Sequence, residues 1–171
     1  FGLSNSQAAA TLAAVLIGAD QLIKILAVNE LASSGISKEF IKFGDKEIIN
    51  LTYTENTGAA FSLMSGKSWF TIGFTSVALI LFTIYMIKTY KNSKFIMTVM
   101  TVIIAGGIGN LIDRIRLGYV VDYIEVRLFR FAIFNFADIC VTVGMVILLI
   151  YIIFIEGRKE RLIKRGETPD E

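Results

Sequence analysis

Four apolar runs separated by polar segments organise this chain. Ala8–Val28 covers 21 residues and carries only Asp20 and Lys24. Ser68–Ile87 covers 20 and Phe95–Ile112 covers 18, both without a charge, and Phe131–Ile155 covers 25 with Asp138 as its one charge. A hydrocarbon core about 30 Å thick needs about 20 helical residues to cross it. The pattern therefore predicts an all-α membrane protein, a single domain over residues 1–171, with helices at about 8–28, 68–87, 95–112 and 133–155. Ala8–Ala19 alone would suit the core of a secretory signal. No basic residue precedes it and the apolar pattern runs on to Val28, which favours a span. The chain opens on Phe1, so a short N-terminal stretch is expected to precede it.

The intervening segments add detail. Ser4 and Gln7 have the spacing of a capping box ahead of the first helix. In the polar segment 29–67, Phe40–Phe43 and Ile48–Tyr53 read as short strands about a Gly44-Asp45 turn, a small β-hairpin or sheet on the membrane surface. Gly106, Gly107 and Gly109 in the third run permit close helix approach. Segment 113–132 leads into the last helix, and the tail 156–171 is charged. Four spans put both termini on one side. Lysines and arginines divide almost evenly between the two sides, eight against nine, but the eight are concentrated in the 88–94 link and the tail. That density places the termini in the cytoplasm, with segments 29–67 and 113–132 extracytoplasmic.

Composition narrows the chemistry. The 171 residues are 54% hydrophobic and 19% charged, more apolar than a soluble domain of this size. Net charge is +2 and the basic residues form no aromatic-interleaved stripe, so no nucleic-acid partner is expected. The lone Cys140 rules out an internal disulfide and a multi-cysteine metal site. The chain has no histidine. Serine and cysteine catalysis in their usual histidine-assisted form are thereby excluded, as is the H-E-x-x-H zinc motif. No metal or other cofactor is expected.

Asp122 and Asp138 stand out against this background. One lies just past the third apolar run, the other near the start of the fourth. Acids at membrane depth are costly and suggest a functional site. Two carboxylates sharing a proton can act as an acid/base pair. Other polar groups fall at the same ends of the spans: Asp20 and Lys24 at i and i+4, Asn110, Asp113 and Arg114, Asn135, and Asn56 with Gly58. Each has a plainer reading. Asp138 suits a helix cap and Asp122 a loop acid. Asp20–Lys24 suits a structural ion pair, Asp113–Arg114 a helix-end network, and Asn56-Thr57-Gly58 a turn. Only their joint occurrence favours a site.

In order along the chain run Asp20-x-x-x-Lys24, Asn56-x-Gly58-Ala59-Ala60-Phe61, Gly109-Asn110-Leu111-Ile112-Asp113-Arg114, Val120-Val121-Asp122-Tyr123 and Phe134-Asn135-Phe136-Ala137-Asp138. This series resembles the lipoprotein signal peptidase (signal peptidase II) family. The resemblance implies a four-helix aspartyl endopeptidase of the bacterial cytoplasmic membrane. Such an enzyme removes the signal peptide from diacylglyceryl-modified prolipoproteins, cutting before the lipidated cysteine. It implies Asp122 and Asp138 as the catalytic pair. Asn56, Gly58, Gly106, Asn110, Arg114, Asn135 and Ala137 would shape or support the site, and Asp20, Lys24 and Asp113 would hold the helix ends. Tyr123 departs from the Phe that many members carry. The expected partners are prolipoprotein substrates and membrane lipid, and the expected state is a monomer. A substrate held extended by backbone pairing against segment 38–54 would suit the site. The rival readings are a proton-coupled membrane transporter using the same carboxylates and a non-catalytic membrane scaffold.

Overall fold

Helix α1 (Asn5–Ala27) begins at the expected capping box, with Ser4 Oγ accepting from the Gln7 N–H at 3.2 Å and Gln7 Oε1 accepting from the Ser4 N–H at 2.9 Å. The computed structural model describes residues 4–33, 35, 37–57, 68–90 and 93–156. Gly58 and the rest of the Gly58–Phe61 motif lie outside them. One π-helical turn, Val28–Ala32, extends α1 beyond its predicted end. Strands β1 (Lys38–Phe43) and β2 (Lys46–Asn56) form a hairpin about Gly44-Asp45. Gly44 has φ +59°, a left-handed value that favours glycine at this turn. The β-branched and aromatic residues of Ile48–Thr54 suit the half-buried strand they occupy.

Helices α2 (Ser68–Tyr90), α3 (Lys94–Leu117) and α4 (Phe136–Tyr151) follow, α4 continuing into a π-helical turn at Ile152–Glu156. All four helices are long and apolar enough to cross a membrane. Helix α3 is central, packing against α1, α2 and α4. Its Ile96, Met100, Ile103 and Ile104 form a core with Met86 of α2 and Leu148 of α4. The other helices turn large apolar residues outward, among them Leu22, Phe74 and Val146, as lipid-facing surfaces do. Without a hydrophobic drive inside lipid, association relies on close packing. Gly106 supplies it: a Cβ there would lie 2.5 Å from the Ala137 carbonyl oxygen of α4.

Two departures from the sequence reading shape the site. Helix α3 continues five residues past Ile112, so Asp113 and Arg114 are helical, and it stops at Gly118, whose φ of +82° and N–H to the Arg114 carbonyl (3.1 Å) form a left-handed cap. The expected surface segment after it instead contains a third strand, β3 (Val120–Val126). The sheet order is β1-β2-β3, antiparallel throughout, with Thr54 opposite Asp122 and Asn56 opposite Val120. Short apolar-rich Val120-Val121 between a helix end and an acid carried no alternation from which to read a strand.

Candidate active site

Asp122 sits in β3 and is 1% exposed. Its Oδ1 accepts from Asn135 Nδ2 at 2.7 Å and its Oδ2 from Asn56 Nδ2 at 2.9 Å. Burial pushes its pKa up to about 6; the Asn56 hydrogen bond opposes this, and the nearby Asp138 charge adds to it. Asp138 lies in the first turn of α4 and is half-buried. Its Oδ1 accepts from Asn110 Nδ2 at 2.8 Å, and its Oδ2 accepts from the Asn135 N–H at 3.1 Å. Asn135 Oδ1 accepts from the Asp138 N–H in return, at 3.0 Å, completing a capping box. The plain reading of Asp138 as a helix cap is therefore true, and the same geometry aims its carboxylate at Asn110 and Asn135.

Asn135 joins the two acids. Fully buried, it touches Asp122 through its side chain and Asp138 through its backbone, and it donates to Asn110 Oδ1 at 3.0 Å and the Val121 carbonyl at 3.2 Å. Its extended backbone (φ −134°, ψ −179°) places it between β3 and α4. Phe134 fixes that approach by bridging to Ile124 of β3.

Beneath lies a buried charged cluster. Lys24 Nζ is 2.9 Å from Asp20 Oδ2, 2.8 Å from Asp113 Oδ2 and 2.9 Å from Asn110 Oδ1. Asp20 Oδ1 accepts from the Ala137 N–H at 3.1 Å, and Asp113 Oδ2 from the Val121 N–H at 3.2 Å. The cluster therefore ties α1 and α3 to the first turn of α4 and to the start of β3. Gly109 makes room for it: a Cβ there would lie 2.5 Å from Asp20 Oδ2. An ion this deep is tolerated only when paired and hydrogen-bonded.

The structure brings Asp20, Lys24, Asn56, Gly106, Asn110, Asp113, Asn135 and Ala137 around the two acids. Arg114 turns back along its own helix. It reaches the Asn110 carbonyl with Nη1 at 3.5 Å, and its buried Nε has no partner among the described residues. β2 offers no free edge to an extended peptide, since β1 and β3 occupy both its sides; the outer strands are β1 and β3, and β3, which carries Asp122, bridges to Phe134 on its far side.

Two roles, those of Gln21 and of the Tyr123 hydroxyl, were not read from the sequence. Gln21 Nε2 donates to Asp113 Oδ1 (2.9 Å), the Gly109 carbonyl (3.2 Å) and Asp20 Oδ2 (3.3 Å). A lone glutamine in an apolar run was its only signal. The Tyr123 hydroxyl accepts from the Phe136 N–H at 3.2 Å, holding the start of α4, and burial pushes its pKa up to about 12. Among the described residues, no group of three or more Cys, Asp or Glu is arranged to hold a metal ion.

Comparison with known proteins agrees in extent and fold. Residues 12–154 match the Peptidase_A8 family, described as signal peptidase (SPase) II. A lipoprotein signal peptidase of Enterococcus faecalis is 41% identical over 157 residues, covering 92% of this chain and 92% of that protein. Its Clostridioides difficile counterpart is 41% identical over 146 residues, covering 84% and 93%. Two bacterial membrane enzymes solved by the in meso method superimpose with TM-scores of 0.76 and 0.77 at 30% identity. They cover 89% and 86% of this chain and 91% and 94% of their own.

Proposed function

The chain belongs to the signal peptidase II family, and from that premise we propose that it is an aspartyl endopeptidase that removes signal peptides from diacylglyceryl-modified prolipoproteins, cutting before the lipidated cysteine. The observation that carries this reading is the bridging of Asp122 and Asp138 through Asn135. Two neighbouring carboxylates cannot both ionise cheaply and so hold one proton between them. Asp122, whose pKa is raised to about 6, keeps that proton and donates a hydrogen bond to the scissile carbonyl oxygen. Asp138 takes a proton from water as the water oxygen attacks the carbonyl carbon. The tetrahedral adduct then collapses, and the proton on Asp138 passes to the departing amine of the cysteine. Asn110 and Asn135 hold Asp138, Asn56 and Asn135 hold Asp122, and Lys24 balances the two acids below. Arg114 stays protonated throughout and serves as a fixed positive charge rather than a base.

The four helices form one domain of the bacterial cytoplasmic membrane. Both termini are cytoplasmic, and the sheet and acid pair lie at the extracytoplasmic face. The polar groups gather at one end of the spans and do not line a path across, which speaks against a proton-coupled transporter. The test is cleavage of a purified diacylglyceryl prolipoprotein in lipid nanodiscs, read by mass spectrometry. The expected product begins at the lipidated cysteine, and excess chelator leaves its rate unchanged. Loss of cleavage that zinc restores would contradict the assignment, as would a cut elsewhere in the chain.

A further inference from the structure

A cavity of about 660 Å³ lies between α1, the sheet and the start of α4. Ile23, Leu26, Ile49, Ile124, Phe134 and Ile139 are among its walls, together with the buried Tyr123. None of Asn56, Asn110, Asp122, Asn135 or Asp138 lines it. Tyr123 and Ile124 both line this cavity, whereas the Asp122 carboxylate is taken up by Asn56 and Asn135. At this volume it falls within the range of small-molecule sites, and apart from Glu30 and Lys38 its walls are apolar. Leu26 and Ile139 are exposed at its mouth, on helices long and apolar enough to span the bilayer. In the membrane placement proposed above for α1 and α4, that mouth opens on hydrocarbon. Phe40, 65% exposed on β1, overhangs it at the level of the sheet.

The polar end is equally defined. Glu30 and Lys38 both line the cavity, with Lys38 Nζ 3.6 Å from Glu30 Oε2 and both side chains substantially exposed. A cation and an anion side by side above a greasy slot match the paired charges of a zwitterionic headgroup above its acyl chains. We propose that this cavity binds one aminophospholipid of the surrounding bilayer, an acyl chain filling it and the phosphate and amine set against Lys38 and Glu30. The inference needs only the membrane placement of α1 and α4 and not the catalytic role of the acid pair.

The test uses the full chain in vesicles of phosphatidylglycerol and phosphatidylethanolamine. The probe is phosphatidylethanolamine with a photoactivatable diazirine midway along one chain, and sites of capture are mapped by peptide mass spectrometry. Capture at Leu26, Phe134 and Ile139 should exceed that at the lipid-facing Val77 and Ile80 of α2 several-fold. Filling the mouth by Leu26→Trp with Ile139→Trp should reduce it to the level of those controls. Lys38→Glu, on the exposed strand β1, leaves the apolar walls intact and should lower capture several-fold, which keeps the test decisive should the double variant not fold. Asp138→Asn should leave capture unchanged. Capture equal to that at Val77 and Ile80 would overturn the site. Capture unaltered by Lys38→Glu or by the folded double variant would overturn it too. Displacement by excess diacylglyceryl peptide would assign the cavity to the substrate's lipid and overturn the phospholipid assignment.

Discussion

Asn135 joins the cap of α4, strand β3 and the proposed catalytic pair. One residue caps α4, fixes the Asp138 carboxylate through its own N–H, and holds Asp122 through its side chain. The two acids, the Asp20–Lys24 pair and Asn110 were legible in the sequence because polar groups at membrane depth carry a cost that apolar runs make visible. Gln21 was not, since a single amide carries no charge to mark it. The role of the Tyr123 hydroxyl was not legible either, since its partner is a backbone N–H thirteen residues away. Arg114, read as part of a helix-end network with Asp113, instead meets the Asn110 carbonyl one turn back, because α3 continues through it. The raised pKa of Asp122 gives a sign to the pH dependence. If Asp122 must carry the proton, kcat/KM falls as pH rises through about 6, the free-enzyme value. Asn56 lowers that pKa by donating to Asp122, so Asn56→Leu should move this alkaline limb upward. A pH profile of the variant checks it, and an unmoved limb would detach Asp122 from it. Lys24→Met leaves two buried carboxylates facing each other without their cation, a break that costs about 3–5 kcal/mol in buried pairs. A melting curve should show a large drop; a melting temperature within a degree or two of the parent would mean that water or another group replaces the ammonium.

At the scale of elements, the apolar runs located the helices while their ends were set by other forces. A left-handed glycine stops α3 at Gly118, and a π-helical turn lengthens α1 to Ala32, beyond where hydropathy fades. The hairpin was readable from its turn and its β-branched residues. Strand β3 was not, because its pairing partner is more than sixty residues away in the chain. That strand matters most, since it turns Asp122 from a loop acid into a buried one. Helix α4 is set against α3 by the contact at Gly106. Gly106→Ala pushes a methyl onto the Ala137 carbonyl one residue before Asp138, so α4 must shift. Misplacement by about 1 Å can cost about 10²-fold in rate. Cleavage should fall by about that factor with helix content by circular dichroism unchanged, and parental activity would show that the acid pair tolerates the shift.

For the whole molecule, the four-span plan followed from run length alone, whereas the sidedness rested on charge density. Asp45→Cys at the hairpin turn, in a Cys140→Ala background, should react with a membrane-impermeant maleimide from outside intact cells. Thr168→Cys in the tail should react only after permeabilisation. The reverse pattern would invert the topology and with it the face from which substrate is cut.

The central claim is that Asp122 and Asp138 work as one unit sharing a proton. Its most direct test is the single-turnover rate on a diacylglyceryl prolipoprotein for Asp122→Asn, Asp138→Asn and the double variant, each first shown by its melting curve to be folded. Each single change should lower the rate by at least about 10²–10⁴-fold, the range for acid–base groups. The double variant should be little slower than either, because a unit that fails with one member has little left to lose. Losses that multiply would show two independent roles, and a single variant cleaving within a few-fold of the parent would remove that carboxylate from the chemistry.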